Sequence, residues 1–255
     1  FADTILKEKM SPGFQVLVAR KGMIIFQKSY GYHTEKKDFP VKNSDVYDVA
    51  SLTKILASLP MIMRAEQEQK IQLNAKLFEI LPSFKNSNKA NISVKELLSH
   101  YGRLPAWIPF YQGTQVNNTK ANSPKYYSAT KSDSYPLEVA ENLYIIKSIT
   151  DSIYKFIKKS NLIENQEYLY SDLGYYLFKE ALENTYKKPL NILVDEAFYK
   201  PLGADRMTYL PLEKFDKSQI VPTEKDDYYR NQLLHGYVQD MGAAMLGGVG
   251  GHPRR

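Results

Sequence analysis

Two apolar runs open the chain, Phe14 to Arg20 and Met23 to Lys28, separated only by Lys21-Gly22 and preceded by Pro12-Gly13. Short runs rich in Val, Ile and Phe around a two-residue link predict a β-hairpin. The period then changes. From Ser51 onward Ile55, Leu56, Leu59, Ile62 and Met63 recur three and four apart, predicting a helix that starts at Ser51 and buries this stripe. Pro60 falls inside it and is expected to kink the helix. Ser93 and Glu96 form a capping box ahead of a second helix that ends near Gly102. Residues 107–134 show little periodicity, as functional or mobile segments do. Helices are predicted again over Leu137 to Lys159, Leu173 to Tyr186 and Leu190 to Tyr199. There is no internal repeat and no clean domain boundary.

Composition narrows the class of molecule. A chain of 255 residues can bury one sizeable core. Its net charge of +6 is spread through many lysines, and no nucleic-acid motif turns that charge into a binding site. The absence of cysteine removes disulfides, thiol catalysis and Cys-based zinc sites. No apolar run approaches the roughly 18 residues needed to span a membrane. The chain begins at Phe1 without an initiator Met, and is expected to be excised or processed from something longer.

Chemistry first appears at Ser51-Leu52-Thr53-Lys54. Residues three apart share a helical face, so Lys54 can reach the Ser51 hydroxyl and take its proton. The positive end of a helix favours a developing alkoxide by about 0.3–1 kcal/mol. A lysine of ordinary basicity, near pKa ~10.4, would be the wrong base at neutral pH, so burial or a cationic neighbour has to lower it. The spacing itself is cheap, because Ser128 to Lys131 and Ser152 to Lys155 repeat it. The Ser128 copy lies in a polar, loop-like stretch and the Ser152 copy inside an amphipathic helix, so only Ser51 combines a helix start with a core behind it. The plain alternative is an N-cap serine followed by a solvated lysine. A second element is Tyr170-Ser171-Asp172, just ahead of an apolar helix. A tyrosine near a lysine can relay a proton, while Ser171 or Asp172 can equally well cap the helix.

Taken in order, Val49 to Lys54, Glu96 to Pro105, Tyr170 to Gly174 and Tyr199 to Gly203 resemble the serine beta-lactamase and penicillin-binding-protein superfamily. The likeness is nearest to the class C beta-lactamase-like branch. It runs from the hairpin at Pro12 to Gly251 and implies an α+β fold: an antiparallel sheet flanked by helices, plus a mostly helical region. It implies that Ser51 is acylated, that Lys54 and Tyr170 share proton transfer, and that position 172 contacts substrate. No metal or organic cofactor is implied. The implied substrates are D-alanyl peptides of cell-wall origin, beta-lactams or esters, and the implied setting is the bacterial periplasm or cell envelope. Partners beyond a small molecule or peptidoglycan-derived peptide are another domain of a parent protein; nucleic acid is not among them.

This sequence departs from the family pattern in three places. Asp172 stands where the Y-x-N motif has Asn, replacing a donor by a charged acceptor. Arg103 stands where L-L-T-H-T-S-G-L-P has its glycine, which moves to Gly102; this segment, His100 included, reads as structural. No K-T-G, and no H-x-G on a strand, follows Gly247–Gly251 before the chain ends at Arg255. The resemblance therefore describes residues 1–255 as one serine hydrolase module, incomplete at its C-terminus and weakly active or inactive unless another chain completes it. The hairpin is expected to lack sheet partners, leaving an edge and an apolar face exposed. The rival reading is a non-catalytic module that binds peptidoglycan fragments or a partner through the old cleft. Other chemistries fit less well. There is no G-x-S-x-G elbow. His33, His100, His235 and His252 are scattered without metal spacing. Gly247–Gly251 lacks the Lys-Ser/Thr of a phosphate loop and reads as a flexible turn beside the site.

Overall fold

The computed structural model describes residues 1–117 and 119–248; His252 and most of the Gly247–Gly251 turn lie outside them. The chain starts with helix α1 (Ala2–Lys7) and the hairpin of β1 (Gly13–Arg20) and β2 (Met23–Gly31). Lys21 and Gly22 both take positive φ, 50° and 77°, the type I′ geometry whose twist suits two-residue hairpins. Among the described residues β1 and β2 pair only with each other. Leu17, Val18, Met23, Ile24, Ile25 and Phe26 are exposed, as expected of a hairpin without sheet partners.

The helices pack into one large apolar core. They are α2 (Leu59–Gln67), α3 (Leu77–Ile80), α4 (Val94–Leu98), α5 (Ile149–Lys159), α6 (Leu173–Tyr186), α7 (Leu190–Val194) and α8 (Met241–Met245). Helix α4 carries the predicted capping box: Ser93 Oγ accepts the Glu96 N–H and Glu96 Oε2 accepts the Ser93 N–H. Helix α6 has the predicted limits, and α7 runs on into a π turn over Asp195–Tyr199. Two small antiparallel sheets complete the fold. One orders β3 (Tyr127–Ser128), β5 (Leu143–Ile145) and β4 (Leu137–Ala140), and the other pairs β6 (Glu224–Asp226) with β7 (Gln232–Leu234).

Two expectations are corrected. Residues 137–145 are a hairpin rather than the start of a helix, turning at Glu141-Asn142 where Asn142 holds φ 54°. The Leu-Glu-Val-Ala and Leu-Tyr-Ile runs are strand-like, and only Ile149, Ile153 and Ile157 form a buried helical stripe. The helix after Ser51 is rotated from its expected phase. Lys54, Ala57, Ser58, Met61, Ile62 and Ala65 are buried, whereas Ile55, Leu56 and Met63 are exposed. Small residues on the inner face let this helix approach its neighbours closely, so tertiary packing outweighs the wider apolar stripe.

At Pro60, where a kink was expected, the helix changes type. Residues Lys54–Ser58 make a π turn directly ahead of α2, with Pro60 in the first turn of α2. Proline cannot donate to the carbonyl four residues back and crowds it. That carbonyl belongs to Leu56 and accepts the Tyr199 hydroxyl at 3.3 Å.

Several polar groups inside the core are tied together. Buried Arg230 bonds Asp226 at 2.7 Å and donates to the carbonyls of Val238 and Gln239 at 2.7 and 2.8 Å, bracing β6–β7 against the segment before α8. Tyr127 donates to Tyr229, and Tyr176 to Asp240 at 2.7 Å. Burial raises the pKa of Tyr127 to about 12, and raises Tyr154, Tyr176, Tyr209 and Tyr229 well above 10. A folded pKa above the unfolded one means that this stability is whole below pH ~10 and is lost as pH rises through ~12. The melting temperature is therefore expected to fall steeply from pH 10 to 12, with tyrosinate absorbance appearing together with loss of helical circular dichroism. Buried tyrosines that ionise near pH 10 in a folded protein would contradict this.

Candidate active site

Ser51 is presented by a strained turn. Ala50–Leu52 form one 3₁₀ turn, and Ala50 sits at φ 44°, a left-handed conformation that costs a non-glycine residue about 1–2 kcal/mol. The Asp48 carboxylate holds it there. Oδ1 accepts the Ala50 N–H at 2.8 Å and Oδ2 accepts the Gln239 N–H at 2.9 Å. Through Gln239 the turn connects to the Arg230 brace. Ser51 lies inside this turn, whose N-cap position is Val49, instead of capping a regular helix itself. Sequence reasoning missed Asp48, because no sequence signal marks the left-handed turn at Ala50 that its carboxylate holds.

Lys54 opens the π turn with its side chain directed inward, and only 4 % of the residue is exposed. Its Nζ donates to Ser51 Oγ at 2.9 Å and to Asp172 Oδ1 at 2.6 Å. The ammonium also lies 4.9 Å from the centre of the Tyr170 ring and 5.4 Å from that of Tyr175, where aromatic faces favour a cation. The four residues expected to form a site, Ser51, Lys54, Tyr170 and Asp172, are thus gathered around one ammonium group. The other two copies of the spacing are not. Ser128 Oγ turns to the Thr130 carbonyl, and Ser152 Oγ to the Ser148 carbonyl one helical turn back.

Tyr170-Ser171-Asp172 is fastened to residues 100–106 along its length. Leu169 N–H donates to the His100 carbonyl at 3.0 Å, Ser171 N–H to His100 Nδ1 at 3.1 Å, and Asp172 N–H to the Ala106 carbonyl at 3.0 Å. Ser171 Oγ donates to the Pro105 carbonyl and accepts the Leu173 N–H, so Ser171 is the residue that caps α6. Asp172 occupies the N-cap position of α6 but spends no side-chain bond on it; its carboxylate goes to Lys54. A negative charge there also meets the positive end of α6.

His100 supports this arrangement. Burial first, and then the Lys54 charge, push its pKa below the ordinary value, so the imidazole is neutral at pH 7 and accepts through Nδ1. Its ring lies 4.4 Å from that of Tyr170, centre to centre, at 33°. His100, expected to be structural, holds the Ser171 N–H and packs against the Tyr170 ring. His33, against Asp45 at 2.7 Å, and His235, against the Ile220 carbonyl, are likewise engaged away from the site. Arg103, which stands where the resemblance expects a glycine, has a left-handed backbone, φ 58°, and donates Nε to the Ile163 carbonyl at 2.6 Å. Gly102 instead fills a tight space, where an added Cβ would come 3.1 Å from Leu97 and 3.2 Å from Ile92.

The Beta-lactamase family model matches residues 2–245. An N-acetylmuramyl-L-alanine amidase of Bacillus subtilis is 27 % identical over 268 aligned positions, covering 94 % of this chain and 55 % of that protein. A Salmonella paratyphi B protein named for D-alanyl-D-alanine carboxypeptidase is also 27 % identical, with 94 % and 56 % covered. The chain thus spans about half the length of these curated relatives. In fold it is similar to the octameric penicillin-binding protein homologue from Pyrococcus abyssi, with a TM-score of 0.67 at 17 % identity over 92 % of this chain and 49 % of that one.

The strain at Ala50 makes a prediction. Ala50→Gly should change unfolding free energy by less than about 1 kcal/mol, since glycine accepts the turn but loses more chain entropy. Ala50→Val, β-branched at positive φ, should cost about 2 kcal/mol or more and slow any reaction at Ser51. Urea unfolding of both variants checks it.

Proposed function

Because this chain belongs to the beta-lactamase family, a family of serine hydrolases, we propose that it forms an acyl-enzyme at Ser51. The observation that carries the reading is the Ser51 Oγ to Lys54 Nζ bond of 2.9 Å, with Tyr170 and Asp172 against the same Nζ. Ser51 attacks the substrate carbonyl as Lys54, in its neutral amine form, takes the hydroxyl proton, and the ammonium so formed is the species that Asp172 holds. Tyr170 then helps return a proton to the leaving group, and water releases the acyl group. Position 172 contacts substrate. The Ser51 N–H supplies one oxyanion donor; the second would come from a strand bearing K-T-G or H-x-G, a motif these 255 residues do not contain on a strand. Lacking one such donor costs about 100 to 1000-fold in rate. Full activity therefore requires a second oxyanion donor beside the Ser51 N–H. The names of the amidase and carboxypeptidase relatives support substrates of peptidoglycan origin, D-alanyl peptides above all, and an envelope location. Beta-lactams and simple esters share the same acyl chemistry.

One observation favours a second reading. The Lys54 ammonium is already engaged by the Asp172 carboxylate at 2.6 Å, as in an ion pair that only shapes a cleft for peptidoglycan fragments. Intact-mass measurement after incubation with a penicillin and with an activated ester decides between the two. The full-length protein is expected to gain one covalent adduct, Ser51→Ala none, and Lys54→Ala and Tyr170→Phe the same adduct about 100 to 10,000-fold more slowly. A full-length protein that forms no adduct would leave the binding module standing.

A further inference from the structure

Taking Ser51 as the nucleophile proposed above, we infer that Gln239 and Asp240 clasp its turn to helix α6, so that Asp48 and Tyr176 are positioning residues for the reaction. Adjacent residues of one short strap hold the two sides. The Gln239 N–H donates to Asp48 Oδ2 at 2.9 Å, and the other oxygen of that carboxylate accepts the N–H of Ala50, the residue before Ser51. Asp240 Oδ1 accepts the Tyr176 hydroxyl at 2.7 Å. Tyr176 lies one helical turn beyond Asp172, whose carboxylate meets Lys54 at 2.6 Å. A ring is thereby closed, running from the Ser51 turn through Asp48, the strap, Tyr176, Asp172 and Lys54 back to Ser51 Oγ.

The strap is itself held from behind. Buried Arg230, paired with Asp226, donates to the carbonyls of Val238 and Gln239, and such charge-assisted bonds are stronger than neutral ones. Asp240 also caps α8 through the Ala243 N–H, and an added Cβ at Gly242 would collide with the Tyr176 hydroxyl, so α8 lies directly against the phenol. This backing matters most during proton transfer. Lys54 has to be a neutral amine to accept the Ser51 proton, and in that form it loses its charge attraction to Asp172. None of the strap's bonds involves Lys54, so they keep the nucleophile turn and the start of α6 in register when the ion pair does not. Misplacing a reacting group by about 1 Å costs about 100-fold in rate.

Two substitutions in the full-length protein cut the ring at different points. Asp48→Asn leaves one acceptor oxygen for two N–H groups, and Tyr176→Phe removes a single hydroxyl. Each should lower the maximal rate of acylation by a penicillin about tenfold or more, with the half-saturating concentration changed by less than about twofold. The double variant should be no more than about threefold slower than the slower single one, whereas the effects of independent sites multiply. Ile71→Val, a change in the core between α2 and α3, should leave the rate as it is. Amide hydrogen exchange reads the clasp without chemistry: Tyr176→Phe should speed exchange of the Ala50 and Gln239 N–H groups about tenfold or more, although Tyr176 bonds neither. Unchanged exchange at those two amides, single effects that multiply, or acylation no slower than in Ile71→Val overturns the inference. Absence of an adduct on Ser51 alongside faster exchange in Tyr176→Phe overturns only the acyl-enzyme reading.

Discussion

The ammonium of Lys54 is taken almost wholly out of water, and a buried charge is tolerated only where charges and dipoles replace its hydration. Here the replacement comes from separate parts of the chain. Ser51 supplies a hydroxyl oxygen, Asp172 a carboxylate, and Tyr170 and Tyr175 the faces of two rings. Remove any one of these and the charge is left short of a partner. That single requirement explains why segments 118 residues apart in sequence, Lys54 and Asp172, are held together at 2.6 Å.

The supports behind these partners are stiff. Ala50, His100 and Arg103 all take left-handed backbone, each beside a bond that fixes it: Asp48 to Ala50, His100 Nδ1 to Ser171, Arg103 to Ile163. Local strain at such positions persists only when the surroundings over-determine it. The π turn from Lys54 belongs to the same pattern. It widens the helix just before Pro60, aims Lys54 inward and frees the Leu56 carbonyl for Tyr199. The shared geometry makes the site a property of three packed segments rather than of one motif.

Much of the scaffold was legible because its signals are local. Lys21-Gly22 requires a tight turn wherever it lies between two apolar runs, Ser93 with Glu96 closes its own cap, and the apolar face of Leu173 to Tyr186 repeats on a helical period. Residues 137–145 misled because their apolar spacing fits both periods, and pairing with Tyr127-Ser128 decided for strand. The phase of the Ser51 helix misled for a different reason. Ala57, Ser58 and Ala65 carry little hydrophobic signal, yet their small size allows the close approach that buries them. Ordered motifs had singled out Ser51, Lys54, Tyr170 and Asp172, and the fold brings these four together. Asp48 was not singled out, because its task is to hold a backbone turn whose conformation no motif recorded.

The inventory was readable from the chain alone: a hydroxyl three residues before an amine, a tyrosine two before a carboxylate, and no thiol. These follow from residue identity and short spacing. Context in the chain already favoured the Ser51 pair among the three Ser-x-x-Lys copies, but the partners that surround its lysine came only with the tertiary structure. All three have the same spacing, but only Lys54 meets a carboxylate and two aromatic rings brought from elsewhere in the chain. Spacing fixes what a side chain can reach along its own helix, while the stabilisation of a buried charge depends on groups that only folding brings beside it.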